Sequence, residues 1–232
     1  MALVKFGAGI VSMSGKIAGS VFSRNRYGAI CRQWSKPVNP NTPSQGLIRS
    51  VMGQIQNAWR NDLTADQRAA WQQYADNVQV QNRLGETMNL SGFNMFARSN
   101  AAALYNDLPL VGDGPTQFSL PETDSTIAVT PSEATQNLSL AFDTNADWVS
   151  EDGAALLVFC GAPQNSTVNF FNGPWKLAGK VEGDSGTPPT SPQAIACPYE
   201  IAAGQKLWIR CRILRADGRL SGFFRASAAV GA

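Results

Sequence analysis

The sequence contains no histidine. That removes the side chain that most often acts as a general base near neutral pH, and the usual partner of a serine or cysteine nucleophile. The four cysteines, Cys31, Cys160, Cys197 and Cys211, form no C-x-x-C pair. A zinc site would need all four thiolates from distant strands, so no metal and no cofactor is expected, and the cysteines read as small apolar residues of the interior. Cys160 and Cys211 fall in segments that could be neighbouring strands, but spacing does not decide whether they pair. Acidic residues are absent before Asp62. No apolar run approaches the roughly 18 residues needed to span a bilayer. Lys16 and several Gly and Ser residues interrupt the N-terminal apolar stretch, and no cleavage site follows, so neither a signal peptide nor a membrane partner is expected.

What is present suits a folded chain. The 232 residues are 44% hydrophobic and 16% charged, enough for one large or two small domains. The net charge of +2 is unevenly spread. Residues 1–110 carry 11 Lys/Arg against 5 Asp/Glu, and residues 111–232 carry 8 against 12. The N-terminal half is therefore the one suited to anionic surfaces.

The stretch from Val11 to Lys36 is basic, Gly-rich and strand-like. Ser20–Ser23 and Ala29–Trp34 read as two strands around a turn at Arg24-Asn25-Arg26-Tyr27-Gly28. A two-stranded ribbon is marginal alone in water, so it requires a surface to lie on. The arm from Lys36 to Pro43 holds three prolines and two asparagines and reads as extended. Thr42-Pro43-Ser44-Gln45 resembles a capping box with Pro at the first helical position. Leu47, Ile48, Val51, Met52, Ile55, Ala58 and Trp59 follow at helical spacing, to about Arg60. Thr64-Ala65-Asp66-Gln67 starts a second helix ending near Asn77, and Trp59 is expected to pack on Trp71 across the intervening turn. Residues 78–90 read as an exposed loop. Ser91 caps a third helix with Phe93, Phe96, Ala97, Ala101, Leu104 and Tyr105 on one side.

Beyond a Gly/Pro-rich linker at 107–121 the texture changes. Strands are expected at Thr126–Thr130, Asn137–Phe142, Ala154–Cys160, Trp175–Val181, Ala194–Tyr199, Lys206–Leu214 and Leu220–Val230. In Lys206–Leu214, Leu207, Ile209, Cys211 and Ile213 alternate with Trp208, Arg210 and Arg212. Short strands with Gly/Pro-rich turns predict an antiparallel sandwich of immunoglobulin or fibronectin-III type. The expected class is thus α+β: a basic ribbon and arm at 1–43, a helical domain at 44–108, a linker at 109–122 and a sandwich at 123–232.

Catalytic motifs fail on inspection. Gly183-Asp184-Ser185-Gly186 copies the tetrapeptide around a protease nucleophile, but no histidine exists to take the serine proton. Gly9 to Lys16 misses the phosphate-loop spacing by one residue, and Ile17 stands where a metal-binding hydroxyl is needed. Glu151 and Asp152 lie in apparent turns, and nothing selects a pair for glycosidase chemistry. No enzyme is expected. Arg24, Arg26, Arg32 and Lys36 interleave with Tyr27 and Trp34, a composition that also suits nucleic acid, although no recognised nucleic-acid module is present.

Several phrases resemble a family of tailed-bacteriophage virion structural proteins. They are Gly15 to Arg26 (GKIAGSVFSRNR), Pro37 to Thr42 (PVNPNT), Leu63 to Trp71 (LTADQRAAW), Leu90 to Phe96 (LSGFNMF) and Asn169 to Trp175 (NFFNGPW). The resemblance implies a virion component assembled in the host cytoplasm, without cofactor or catalysis, and a homo-oligomer among other virion proteins. A head decoration or minor capsid protein is the leading expectation. A neck or tail connector is the alternative, and a nucleic-acid-binding protein a further one. The expected docking residues are Arg24, Arg26, Tyr27, Arg32, Trp34 and Lys36, with Phe170, Phe171 and Trp175 as a second contact.

Overall fold

The computed structural model describes residues 2–25, 28–82 and 84–231. Among the described residues three α-helices mix with antiparallel sheets, and the chain divides into two compact units, Met1–Phe96 and Ala97–Ala232. This division differs from the cuts expected at 43, 108 and 122. The ribbon, the arm and two helices share one unit, and the segment 109–122 belongs with the sandwich.

In the first unit the expected ribbon is wider than two strands. Strands β3 (Ser20–Asn25) and β4 (Gly28–Gln33) pair as foreseen. They are flanked by β1 (Ala2–Val4) on β4 and β2 (Gly15–Ile17) on β3. The sheet is a ladder rather than a core: Ile30 is its only buried residue among those described. The arm from Trp34 to Thr42 is exposed and irregular. Arg49 steadies it, donating to Asn39 Oδ1 at 2.7 Å and Asn41 Oδ1 at 3.1 Å.

Helix α1 (Pro43–Asn57) starts where Thr42 accepts from the Gln45 N–H, with Pro43 at the first position. It passes into a π-turn at Ala58–Asp62, closed by Leu63 N–H on the Ala58 carbonyl. Helix α2 (Ala65–Asn77) carries the reciprocal capping box between Thr64 and Gln67. The expected packing of Trp59 on Trp71 is mediated: the Phe96 ring lies 5.3 Å from Trp59 and 5.5 Å from Trp71. Phe96 comes from α3 (Gly92–Tyr105), capped by Ser91. Its buried positions include Met95, Phe96, Ser99, Asn100 and Ala103, a stripe different from the one hydrophobicity alone suggested. The expected loop at 78–90 is instead a hairpin of β5 (Gln79–Gln81) and β6 (Thr87–Asn89). Its turn is built on Asn82, whose Oδ1 accepts from the N–H groups of Leu84 and Glu86.

The second unit is a sandwich of two antiparallel sheets. One runs β7 (Ala128–Ser132), β8 (Asn137–Ala141), β12 (Gln193–Ala196). The other runs β14 (Phe224–Ala229), β13 (Gln205–Leu214), β9 (Ala155–Gly161), β11 (Trp175–Glu182). Strand β10 (Gln164–Asn165) resumes the β9 ladder on β13 after Ala162-Pro163. That proline has no N–H to offer, so the ladder breaks there by one residue. All seven expected strands are present, with ends shifted by a few residues.

Inward side chains alternate as the pleat requires. Leu138, Leu140, Leu156, Val158, Leu207 and Ile209 are fully buried between the sheets, beside Trp148 at 1% exposure. The four cysteines are unpaired; burial pushes the Cys160 and Cys211 thiols up. A parallel bridge between Ser132 and Gly231 closes one edge of the sandwich.

The outer face of the larger sheet is partly covered within this unit. Ala103 of α3 and Leu108 pack on Ala155, Leu157, Leu214 and Leu220. The expected linker is therefore fixed. Asn100 donates to the Val111 carbonyl at 3.1 Å and accepts from its N–H at 2.7 Å, and Arg219 donates to the Ser119 carbonyl at 3.0 Å. Asn100→Ala strips both Val111 groups of their partner, a loss of about 1–3 kcal/mol. Limited proteolysis should then cleave the 107–121 segment faster than in the parent chain. An unchanged cleavage rate refutes the anchoring role.

Candidate functional site

The expected basic docking face is divided by the register of its own sheet. Arg24 lies opposite Ala29, and Arg32 lies opposite Val21. Alternation places these two arginines on opposite faces. Lys16, opposite Val21, shares the Arg32 face. Its ammonium sits 3.8 Å from the centre of the Trp34 ring, a cation–π contact. Trp34 is 52% exposed and donates its backbone N–H to Gly19. Lys36 is exposed on the arm. Arg26 and Tyr27 lie outside the described residues. The structure thus joins Lys16, Arg32 and Trp34, and separates Arg24 from them.

Apolar exposure is concentrated in this same stretch. Of twelve large hydrophobic side chains exposed among the described residues, seven fall between Ile10 and Ile48. Val11 is 98% exposed and Val38 85%. Ile10, Val11, Trp34 and Val38 lie on irregular backbone, Ile17 ends β2, and Leu47 and Ile48 lie on α1.

The second expected contact also divides. Phe170 is 73% exposed, whereas Phe171 is buried against Gly161 and meets Trp175 edge to face at 5.0 Å. Trp175 belongs to a larger cluster on the uncovered part of the outer sheet face. Arg210 lies over three rings: Phe223 at 4.4 Å, and Phe159 and Trp175 at 5.1 Å each. Arg212 lies over Phe223 at 4.4 Å and donates to the Ser221 carbonyl. Arg225 lies over Trp175 at 5.6 Å and reaches the Phe171 carbonyl at 3.5 Å.

Like charges crowd here. Arg210 and Arg225 are direct cross-strand partners, a pairing that destabilises a sheet when the charges match. Burial, and then Arg225, pull the Arg210 guanidinium down. Burial, with Arg98 and Arg210 close by, brings Arg212 down to about 9. Among the described residues no carboxylate forms an ion pair with Arg210, Arg212 or Arg225. Three buried donors of this strand, Trp208 Nε1, Arg210 Nε and Arg212 Nε, meet no acceptor among the described residues. Each such donor costs about 1–3 kcal/mol if left unmade.

Elsewhere several carboxylates are committed to hydrogen bonds and ion pairs. A groove of about 650 Å³ is lined by Asp124, Asp143, Asp147, Arg215 and Arg219, among others. Asp124 accepts from the N–H groups of Thr126 and Asp143, and Glu151 and Asp147 hold Arg215. Asp152 accepts from Ser185, and Asp184 from Gly186 and Thr187, whose N–H groups hold its carboxyl below the usual range. The tetrapeptide around Ser185 is a turn fastened by side-chain hydrogen bonds. Among the described residues no group of His, Cys, Asp and Glu is arranged to hold a metal ion, and no helix is long and apolar enough to cross a membrane.

No family model and no curated protein matches the sequence. Among solved structures, an Fn3-like protein from Clostridium thermocellum is similar at 12% identity, over 49% of this chain and 97% of its own, with a TM-score of 0.29. That likeness is too slight to carry the fold, which rests on the strand pairing above.

Proposed function

We propose that this chain is a non-enzymatic structural subunit of a tailed-bacteriophage particle, docked on neighbouring virion proteins through its N-terminal stretch. Head decoration is the favoured location. The observation that carries the reading is the apolar exposure between Ile10 and Ile48, which includes Ile10 and Val11 between strands, Ile17 on a sheet with one buried residue among those described, and Trp34 and Val38 on an irregular arm. Holding such backbone in one conformation costs about 1–2 kcal/mol per residue, which a neighbour's contacts would offset. The phrases quoted from Gly15 to Arg26 and from Pro37 to Thr42, which carry part of the likeness to virion proteins, fall in this stretch.

The C-terminal unit fits an immunoglobulin/fibronectin-III-like spacer. Its seven main strands form a three-stranded and a four-stranded sheet. The chain crosses between sheets from β8 to β9, from β11 to β12 and from β12 to β13, as a Greek key does.

Removing residues 1–40 should abolish incorporation into particles while the sandwich retains its thermal transition. Quantitative gel analysis of purified particles reads the outcome. Undiminished incorporation of the shortened chain would overturn the docking role. Copy number in the parent particle then places the protein: many copies on the head lattice, few in a neck ring.

A further inference from the structure

We propose that the Arg210–Arg225 face of the larger sheet binds an acidic peptide segment of a partner protein, which sets its carboxylates against these two arginines. This site is in the C-terminal unit and does not depend on the N-terminal docking described above.

Aromatic rings pack around the guanidiniums: Phe223, Phe159 and Trp175 lie about Arg210, and Trp175 also lies beside Arg225. A guanidinium's N–H fork matches a carboxylate in its own plane. Arg225 is exposed and Arg210 only partly buried, so a partner can reach both, and neither is paired with a carboxylate among the described residues. Arg212, only 9% exposed and donating to the Ser221 carbonyl, adds positive charge beneath this face without touching a partner.

Charge selects the occupant. Arg210 and Arg225 set two positive charges side by side on adjacent strands, and a segment with neighbouring Asp or Glu residues supplies the opposite sign to both. Single-stranded nucleic acid fits less well. It needs open aromatic faces on which bases stack, and here the rings already carry cations. An anion also relieves the opposition of Arg210 and Arg225 across the ladder.

The test uses the full chain and a fluorescein-labelled peptide of alternating Glu and Ser, followed by anisotropy at low salt. A labelled oligothymidylate is the second probe. Arg225→Ala removes a guanidinium from the exposed rim, and Arg210→Gln removes the central one; melting curves check that both fold. Arg60→Ala, on an exposed position of the other unit, is the control. The expected result is saturable peptide binding, weaker by about tenfold in each face variant, unchanged in the control and reduced by added salt. The proposal falls if the peptide does not bind at low salt, or if both face variants bind it as the parent does. It falls equally if the oligothymidylate binds more tightly than the peptide with the same arginine dependence, which assigns the face to nucleic acid.

Discussion

Replacing Phe96 by Ala should lower the stability of the N-terminal unit by about 3–5 kcal/mol. Phe96 is fully buried, and its ring is the piece that both Trp59 and Trp71 rest on, at 5.3 and 5.5 Å. Trp71 in turn meets Tyr74 edge to face at 5.9 Å. Truncation therefore opens a cavity and undoes two aromatic contacts worth about 0.5–1.5 kcal/mol each. A small domain holds only about 5–15 kcal/mol in all, so this loss should be visible as faster hydrogen exchange throughout α1 and α2. Phe93→Ala supplies the comparison, because Phe93 is half-buried and touches Trp59 alone among the tryptophans, at 5.6 Å. Equal effects from the two truncations would show that Phe96 is not the keystone.

That keystone was only half legible. The sequence places Trp59, Trp71 and Phe96 on helices with correct starts, because Thr42-Pro43 and Thr64 through Gln67 signal caps by local chemistry. It suggests that the two tryptophans meet directly, since local spacing says nothing about a third helix inserting a ring. The hairpin at 79–89 was hidden for a related reason. Its strands are three residues each and polar, and the turn is organised by one asparagine side chain. The segment 107–121 has a linker's composition, yet a buried Asn100 pins it, and no periodicity announces a polar anchor.

The sandwich strands were readable because apolar alternation over several residues is strong evidence for a half-buried strand. The β13 pattern even placed Trp208, Arg210 and Arg212 outward. What it could not supply was register. Only pairing shows that Arg225 stands opposite Arg210, and only the same arithmetic shows Arg24 and Arg32 parted on opposite faces. Composition locates charge along a chain; the pleat decides which charges meet.

The tetrapeptide Gly183-Asp184-Ser185-Gly186 yields the second large effect, and it falls on the glycine rather than the serine. A Cβ built on Gly183 would lie 2.0 Å from the Trp148 carbonyl oxygen and 2.7 Å from that of Glu151. Both are backbone atoms, so no side chain can swing aside. The segment cannot easily withdraw either: Gly183 N–H donates to Ala154 at 2.9 Å and Asp184 N–H to Val149 at 3.0 Å. Trp148, whose carbonyl would be displaced, has its own side chain in the sandwich core. Gly183→Ala should therefore cost about 3 kcal/mol, the upper part of the range for overpacking. Ser185→Ala removes one hydroxyl hydrogen bond to Asp152 and leaves the backbone bond to the same carboxylate, so its cost should stay near 1 kcal/mol. Urea denaturation of the two variants ranks them. A serine variant less stable than the glycine variant would contradict the close approach of these backbones, whereas the predicted order identifies the motif as a turn shaped by crowding.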